Sequence, residues 1–408
     1  MSPKVVASNQ KLRAKIHEQP RPEVAGKPPA GFEPKNTVQR LKWVEQSTGL
    51  NLEGMPLPRL DELHGIIENH VGYVPLPMSI AAPLLVHGDY ARGEFIVPLC
   101  TLEGTLTLAM SRGLQAIAMA GGCRTIHLKQ ELSRSPAFCL PTITEIDSFL
   151  RWINDHADSI LAVAESTTRQ GRLLRVDPTP IQQWVVLDFV YDTGNAAGQN
   201  TVTLATEAAC RYIHQETGFH YYLESGFNSD KRPSRRNLMC GRGHSVTVEY
   251  SMGSHVLDFL GVRQEAVLDF QQLATSSSQA IGMLGDNLHL SSALAAIYLA
   301  TGQDIACLAE NAIAFSQASP DGGDGLLFRM TLPSLTVGTV GGGTRLPVQR
   351  RNLELIGCGD RLHDSRKLAE IIAAAAAAVE LSVLAAVVSG KFAQAPENYG
   401  LARGKQDR

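Results

Sequence analysis

The stretch VPLCTLEGTLTLAMSRGLQAIAMAGG, residues 97–122, joins a strand to a helix around a single carboxylate. Residues 97–100 form a short apolar run that is typical of a buried strand. Glu103 follows, beside Gly104, and then small and apolar residues continue to a Gly-Gly stop signal. The apolar positions after Glu103 recur at helical spacing and share one face: Leu106, Met110, Leu114 and Ile117.

Glu103 has two interpretations at this point. A carboxylate at the start of a helix is stabilised by the positive N-terminal end of the helix dipole, so capping is a sufficient reason for it. The same position, at the mouth of an apolar helix, also suits a catalytic carboxylate. The residues of this stretch alone leave both open.

Composition bounds the class of protein. The chain has 408 residues, too many for one ordinary domain, and 44% of them are hydrophobic, so two or three domains with a large core are expected. The formal net charge of −3 gives no reason to expect nucleic-acid binding. No run of about 18 apolar residues free of charge occurs. The alanine-rich segment 371–388 contains Glu380 and is interpreted as a packed helix, so no membrane span is expected.

The cysteines and the N-terminal segment point to a cytoplasmic protein. Seven cysteines are scattered without CxxC spacing, which favours reduced thiols and gives no support to a metal site. Residues 1–36 hold six prolines and many charges and lack the apolar core of a signal peptide. This segment is predicted to be a disordered lead-in.

Residues 123–223 alternate between strand and helix patterns in the order β-α-β-β-α-β, with helices predicted over about 145–167 and 201–217. This order is that of a ferredoxin-like fold. No GxGxxG motif occurs, so a Rossmann dinucleotide site is not supported. The glycine turn TGNAAGQN (193–200) precedes a helix, where backbone N–H groups can hold a pyrophosphate; it can equally be a plain turn.

Several short motifs follow one another along the chain. In chain order they are ENHVGYVPLP (68–77), TLEG (101–104), SDKRP (229–233) with NLMCGRG (237–243), and TGQD (301–304) followed by GTVGGGTRLPVQ (338–349). Together, over roughly residues 60–390, they resemble the hydroxymethylglutaryl-coenzyme A (HMG-CoA) reductase family, in its eukaryotic and archaeal type. Each motif alone is weak; their order and separations carry the resemblance.

The resemblance implies an α+β fold. A large helical and sheet domain for the substrate, residues 37–113 and 224–408, would carry an inserted ferredoxin-like nicotinamide-binding domain, residues 114–223. The family site lies at a subunit interface, so a homodimer or a dimer of dimers with an interface active site is expected. ENHVGYVPLP would lie at this interface, although Ser79 and Ala82 stand where the family usually has glycines.

The resemblance also implies the catalytic residues Glu103, Lys231 and Asp304. Lys231 would stabilise the alkoxide that hydride attack creates, and Asp304 would keep the ammonium charged. Without the family, Lys231 is an ordinary solvated loop lysine and Asp304 an ordinary helix cap. The implied substrate-binding residues are Arg112, Ser229 and Asn237.

The implied cofactor is NADPH, with NADH not excluded. The family usually begins the turn at 193–200 with aspartate where this chain has Asn195, and Ala197 and Gln199 replace methionines. The implied cofactor-binding residues are Gly194, Asn195, Ala196, Gly198, Asn200 and Arg232.

The chain differs from the family at the residue that protonates the leaving thiolate. The family places a histidine six residues after the glycine that ends its last helix, and this histidine protonates the departing coenzyme A. Counted from Gly390, that position is Pro396, and the last histidine of the chain is His363. Lys391 and Glu397 are the nearby alternatives.

The expected function is NADPH-dependent reduction of HMG-CoA to mevalonate and coenzyme A by two hydride transfers, in the mevalonate route to isoprenoids. Loss of the histidine would slow thiolate release without abolishing hydride transfer. Two alternatives stay open: a related reductase for another acyl-CoA or aldehyde, and a catalytically silent homologue that binds a ligand.

Overall fold

A computed structural model describes residues 27–30, 33–49, 62, 63, 65–168 and 171–394. The chain divides into two units, Met1–Pro75 and Leu76–Arg408. In the first unit, helix α1 spans Pro34–Thr48, and Glu33 and Asn36 form a reciprocal capping box. This helix begins inside the predicted lead-in because proline at the first helical position has a backbone angle already suited to a helix. Most of residues 1–33 lie outside the described residues.

The second unit carries the strands and the remaining helices. Its strands are β1 Met78–Gly88, β2 Arg92–Cys100, β3 Cys123–Arg134, β4 Ala137–Cys139, β5 Arg172–Ile181, β6 Trp184–Asp192, β7 His220–Tyr222, β8 Arg242–Met252, β9 Phe315–Pro320 and β10 Leu326–Leu335. Its helices are α2 Leu106–Met119, α3 Ile146–Asp155, α4 Ala157–Glu165, α5 Gln199–Thr217, α6 Arg235–Cys240, α7 Ser254–Leu260, α8 Gln264–Ala280, α9 Leu290–Thr301, α10 Leu308–Asn311, α11 Pro347–Leu355 and α12 Asp364–Val388.

The larger core is built on the hairpin and helix that the stretch 97–122 predicts. β1 pairs antiparallel with β2 and parallel with β3; β3 pairs with β8, β8 with β10, and β10 with β9, all antiparallel. The predicted apolar face of α2 is buried: Leu106, Met110, Leu114 and Ile117 are all less than 4% exposed. This face and α12 belong to the same hydrophobic core.

Helix α12, with 25 residues, is the longest helix of the described chain and is rich in alanine. By length and composition alone it could cross a membrane. Most of its side chains are buried, however, and Glu380 within it accepts hydrogen bonds from the backbone N–H groups of Leu288 and His289. A core helix of a soluble protein has these properties, so the prediction of a packed helix over 371–388 agrees with the contacts.

The smaller sheet has the ferredoxin-like order. β4 pairs with β7 and with β6, and β6 pairs with β5, so the spatial order is β7-β4-β6-β5 with every pair antiparallel. The helix predicted over about 145–167 is wrong as a single helix, since α3 ends at Asp155 and α4 begins at Ala157. His156 lies at the break, where its ring stacks on Trp152 and contacts the Trp152 carbonyl.

A second hydrophobic core fills this smaller sheet and its helices. Its buried members run from Leu132 to Ile213. Leu114, Ile117 and Cys123 instead belong to the first core, so the second core begins well after the expected domain boundary at residue 114. A domain of residues 114–223 stays a prediction.

Gly113 fixes how closely α2 and α12 approach. A Cβ on Gly113 would lie 1.9 Å from the carbonyl oxygen of Ala378, a backbone atom that cannot rotate away. We expect Gly113→Ala to lower the free energy of unfolding by about 1–3 kcal/mol, as overpacked cores do. Alanine favours a helix over glycine by only about 1 kcal/mol, so the clash dominates. Urea denaturation followed by circular dichroism measures the change.

The matched control for Gly113→Ala is Gly359→Ala. Gly359 has no positive φ, and an added methyl group would meet side-chain atoms only at ordinary contact distances of 3.6 Å or more. We expect this control to leave the denaturation midpoint within experimental error. Equal stability of the two variants would contradict the packing described for α2 and α12.

Candidate active site

The glycine-rich loop GTVGGGT (338–344) packs on the turn TGNAAGQN. The backbone N–H groups of Thr339 and Val340 donate to the Asn195 carbonyl at 2.8 and 3.3 Å. A Cβ on Gly338 would lie 2.3 Å from the Ala197 nitrogen, so only glycine permits this approach. Two motifs that are 140 residues apart therefore form one surface.

The segment TGQD joins the same loop from its other side. The side-chain amide of Gln303 accepts from the Gly338 N–H at 2.9 Å and donates to the Gly338 carbonyl at 3.0 Å. Gly302 and Gly343 also touch through their backbones, since a Cβ on Gly302 would lie 2.4 Å from the Gly343 carbonyl. The turn, the glycine-rich loop and the segment before Asp304 are thus held together.

Asp304 and Lys231 form an ion pair. Lys231 Nζ lies 2.8 Å from Asp304 Oδ2, and the two side chains are 43% and 41% exposed, so the pair is open to a substrate. The other carboxylate oxygen, Asp304 Oδ1, accepts from the Ala306 N–H at 3.0 Å and caps a short 3₁₀ turn, Ile305–Cys307. Both interpretations of Asp304, cap and lysine partner, therefore hold.

This carboxylate raises the pKa of Lys231 above its ordinary value, chiefly through the hydrogen bond from the ammonium. Burial opposes the effect only in part. Lys231 consequently keeps its positive charge throughout the neutral pH range. A fixed ammonium in a cleft can stabilise an oxyanion that forms beside it.

The loop that carries Lys231 has a strained backbone. Ser229 and Lys231 both have a φ of 55°, in the left-handed region that non-glycine residues seldom adopt. The Arg232 N–H donates to the Ser229 carbonyl at 3.2 Å, which closes the turn around Lys231. Strain of this kind persists only where the surroundings hold it, and it is common at functional sites.

A buried charged cluster holds this loop, and sequence reasoning missed it. Asp230 accepts from Arg134 Nη2 at 3.2 Å and lies 3.1 Å from Arg242 Nη2. Arg134 also pairs with Glu224, and Arg242 Nε lies 3.7 Å from the buried carboxylate of Glu310. These contacts hold Asp230 in place. They therefore limit the position of the next residue, Lys231.

One sequence signal could have revealed part of this cluster. The apolar residues Val246, Val248, Tyr250 and Met252 alternate along β8 and are buried. Counting back by two from them places Arg242 and His244 on the same inward face. A charged residue in an inward register needs buried partners, which is what Arg242 has.

The turn at 193–200 has backbone features of an anion site. Gly194 and Gly198 have φ values of 57° and 86°, and Gly198 stands at the N-terminus of α5. No side chain caps this 19-residue helix at its N-terminus, so its first backbone N–H groups have no side-chain cap. Such amides suit a pyrophosphate. Of the other predicted cofactor residues, Ala196 bridges to Val340, and Asn200 is exposed in the first turn of α5.

The side chain of Asn195 has partners within the chain. Its Nδ2 donates to the Arg361 carbonyl at 2.7 Å, and its Oδ1 accepts from the Ser365 N–H at 3.2 Å. An aspartate, which lacks the donor, could not make the first bond. Asparagine at this position therefore fixes the turn to the N-terminus of α12, whatever contact it makes with a cofactor.

The remaining predicted residues of the lysine loop lie close by. Ser229 is buried, and the Arg232 guanidinium lies against Gly226. Asn237 is 1% exposed in α6, where its side chain bonds to Ser234. Its buried Nδ2, which carries two N–H donors, has no hydrogen-bond partner in the described part of the chain.

Glu103 makes no hydrogen bond or ion pair with Lys231 or Asp304 in the described part of the chain. It does not cap α2, which begins after Thr105, and its backbone N–H donates to Thr101 Oγ1 at 2.9 Å. Across the described ranges its carboxylate makes no hydrogen bond or ion pair. It borders an open cleft of about 400 Å³ whose other wall includes residues of α9 and Leu308.

The side chain of Arg112 is bonded to the backbone of another element. Its Nη2 donates to the Leu260 carbonyl at 2.6 Å, at the C-terminus of α7. Its expected role toward the substrate stays a prediction. Arg134 and Arg242 are instead the guanidinium groups that contact the lysine loop, both through Asp230.

Pro396 and Glu397 lie outside the described residues. His363 stands at the N-terminus of α12, with its ring 5.4 Å from that of Tyr90. Lys391 lies against Gly261. The described chain therefore brings neither His363 nor Lys391 to the Lys231–Asp304 pair.

Comparison with known sequences gives one family. The family model described as hydroxymethylglutaryl-coenzyme A reductase matches residues 36–401. The 3-hydroxy-3-methylglutaryl-coenzyme A reductase of Methanocaldococcus jannaschii is 36% identical over 379 residues, which cover 89% of this chain and 92% of that one. The enzyme of the same name from Pyrococcus horikoshii is 37% identical over 380 residues, 89% and 91% of the two chains. The 3-hydroxy-3-methylglutaryl-coenzyme A reductase 2 of Dictyostelium discoideum is 32% identical, in an alignment that covers 92% of this chain and 74% of that one.

Comparison with solved structures gives the same fold. The class II 3-hydroxy-3-methylglutaryl-CoA reductase of Streptococcus pneumoniae, bound to NADPH in open conformations, aligns with a TM-score of 0.67 at 21% identity. The alignment covers 86% of this chain and 97% of that one.

Proposed function

Because this chain belongs to the hydroxymethylglutaryl-coenzyme A reductase family, we propose that the Lys231–Asp304 pair is the centre of an NADPH-dependent reduction of HMG-CoA to mevalonate and free coenzyme A. The observation that carries the proposal is the open ion pair at 2.8 Å, assembled from two family motifs beside the glycine turn. The class of reaction is hydride transfer to a thioester and then to the aldehyde that results.

Lys231 has the same task in both reductions. When the substrate carbonyl accepts a hydride, its oxygen gains negative charge, and the Lys231 ammonium stabilises that charge. Asp304 keeps the lysine protonated and fixes its direction. The hemithioacetal then collapses to an aldehyde and a thiolate, and a thiol with an ordinary pKa of about 8.5 is a tolerable leaving group near neutral pH.

NADPH supplies the hydride when it is bound. The backbone N–H groups at the start of α5, which no side chain caps, fit its pyrophosphate. The proposed cofactor contacts remain Gly194, Asn195, Ala196, Gly198, Asn200 and Arg232. For Asn195 the contact is assigned to the backbone, since its side chain is engaged by Arg361 and Ser365.

We further propose that two copies of the chain complete the site. Met78, Ile80 and Ile96 are exposed on one face of the β1–β2 hairpin, and Leu102 and Leu108 are exposed on either side of Glu103. Exposed apolar groups of this kind favour a protein partner. A second copy would cover them and bring a Lys231–Asp304 pair toward Glu103, which has no partner in the described ranges.

The substrate carries a carboxylate, which needs a cation. Arg112, Ser229 and Asn237 stay the predicted contacts, and Arg134 is added because it is tied to Asp230, the neighbour of Lys231. The cytoplasm is the proposed compartment, and the seven free cysteines agree with it.

The test follows oxidation of NADPH, and separately of NADH, with HMG-CoA and with mevaldehyde as substrates. We expect oxidation of NADPH with both. Turnover of mevaldehyde alone would place the defect at thiolate release, where the family histidine is replaced by Pro396. Absence of NADPH or NADH oxidation with either substrate would contradict the proposal. It would favour a different acyl-CoA substrate or a ligand-binding role without catalysis.

A further inference from the structure

Arg242 makes no hydrogen bond or ion pair with Lys231 or Asp304 in the described part of the chain, but it contacts segments next to both. It is the first residue of β8, and its side chain is 1% exposed. A guanidinium remains charged when buried, so it requires carboxylates or carbonyls around it. The three groups that Arg242 contacts come from three different segments.

The first contact is with the lysine loop. Arg242 Nη2 lies 3.1 Å from Asp230 Oδ1, and Asp230 immediately precedes Lys231. The other carboxylate oxygen of Asp230 accepts from Arg134 at 3.2 Å. The carboxylate is therefore held on both sides, and its position limits where the next residue can place its ammonium.

The second contact is with the segment that carries Asp304. Arg242 Nε lies 3.7 Å from Glu310 Oε1. Glu310 is fully buried on α10, which follows directly on the 3₁₀ turn that Asp304 caps. The third contact, from Nη1 to the Ser133 carbonyl at 2.9 Å, fixes the guanidinium to the end of β3.

We propose that Arg242 is a positioning residue that sets the separation of Lys231 from Asp304, because its positive charge attracts Asp230 at Nη2 and Glu310 at Nε along one edge of the guanidinium. The proposal rests on the function assigned to Lys231 above. The fork of an arginine presents donors in fixed directions, whereas the ammonium of a lysine is a compact charge on a flexible stem. Arg242 forms ion pairs with the two carboxylates and a hydrogen bond with the Ser133 carbonyl, and a lysine at position 242 would offer one charged nitrogen in place of these three.

The consequence is measurable at Lys231 itself. The charged and titratable groups that act on its ammonium are, in decreasing order, Asp304, the buried thiol of Cys307 and Asp230. Asp304 raises the pKa of Lys231. If the two segments separate, that influence weakens and the pKa of Lys231 falls toward its ordinary value. A residue with a merely structural role would leave it unchanged.

The experiment compares Arg242→Lys with the wild-type protein. The rate of acetylation of Lys231 by acetic anhydride is measured as a function of pH, by mass spectrometry of the peptide that contains it. We expect the midpoint of this curve to move to lower pH. We also expect kcat to fall about 10–100-fold, because small displacements of catalytic groups have effects of that size. KM for NADPH should change less than about threefold, since the turn at 193–200 is untouched.

Glu380→Gln is the control for a general loss of stability. It removes the charge of another buried carboxylate, which bonds two backbone N–H groups of residues 288 and 289 outside the cluster. We expect it to lower the melting temperature while leaving the acetylation midpoint of Lys231 and kcat near their wild-type values. If Arg242→Lys fails to fold, Glu310→Gln replaces it, and the same acid shift of the midpoint is expected.

An unchanged acetylation midpoint in folded Arg242→Lys or Glu310→Gln protein would overturn the proposal. So would an equal shift in Glu380→Gln. The acetylation curve needs no turnover, so this result is distinct from failure of the proposed function, which would appear as absence of NADPH oxidation in the wild-type protein.

Discussion

Lys231→Met is expected to lower kcat for HMG-CoA and for mevaldehyde by about 10²–10³-fold, the usual cost of removing a group that stabilises an oxyanion. Methionine keeps much of the length of lysine but lacks the charge. The cost should fall on kcat rather than on KM, because the ammonium acts on charge that exists only in the transition state. Initial rates of NADPH oxidation measure both parameters.

Two comparisons make this result specific. Lys231→Arg keeps a charge near Asp304 and should recover part of the rate, but not all of it, since the guanidinium is larger and planar. Lys35→Met is the surface control, because Lys35 lies exposed on α1 in a pair with Glu33, and it should retain the full rate. Retention of more than half of the wild-type kcat by Lys231→Met would remove Lys231 from the mechanism.

The other large effect is expected from Gly338→Ala. Its Cβ would lie 2.3 Å from the Ala197 nitrogen and 2.8 Å from the Ala196 carbonyl carbon, both in the proposed cofactor turn. Since no rotamer change can relieve a clash with backbone, the turn must move. We expect the Kd for NADPH, measured by fluorescence of the bound nicotinamide, to rise at least about tenfold, as misplacement of about 1 Å commonly costs that much or more.

Gly323→Ala is the control for this change. Gly323 lies in the connection between β9 and β10, has no positive φ, and would place its methyl group 3.7 Å from the Asp321 carboxylate. The Gly323→Ala variant should bind NADPH with the affinity of the wild-type protein. If Gly338→Ala also bound NADPH normally, the turn at 193–200 would not be the cofactor site.

Much of the fold follows from local pattern. The helical spacing after Glu103 predicts α2 because its apolar face is packed on one side only. The order of strands and helices after residue 123 predicts the β7-β4-β6-β5 sheet, since few arrangements suit that order. The break at His156 was not predictable, because it depends on a ring that stacks on Trp152 rather than on any helix-breaking residue.

The sequence predicted some residues of the site and missed others, and this difference has a physical cause. Lys231 and Asp304 stand in short motifs, and the structure brings them together. Arg134, Arg242 and Glu310 are single charged residues whose burial depends on partners far away in the chain, which no local pattern specifies. The engagement of the Asn195 side chain by α12 likewise comes from tertiary packing over 166 residues.

The most direct test of the account is the stoichiometry of the complete reaction. Purified protein is incubated with HMG-CoA and excess NADPH, and the NADPH oxidised, the coenzyme A thiol released and the mevalonate formed are measured together. The account predicts two NADPH consumed for each thiol and each mevalonate. No oxidation, or oxidation with release of thiol but no mevalonate, would contradict the assignment of this chain as an HMG-CoA reductase.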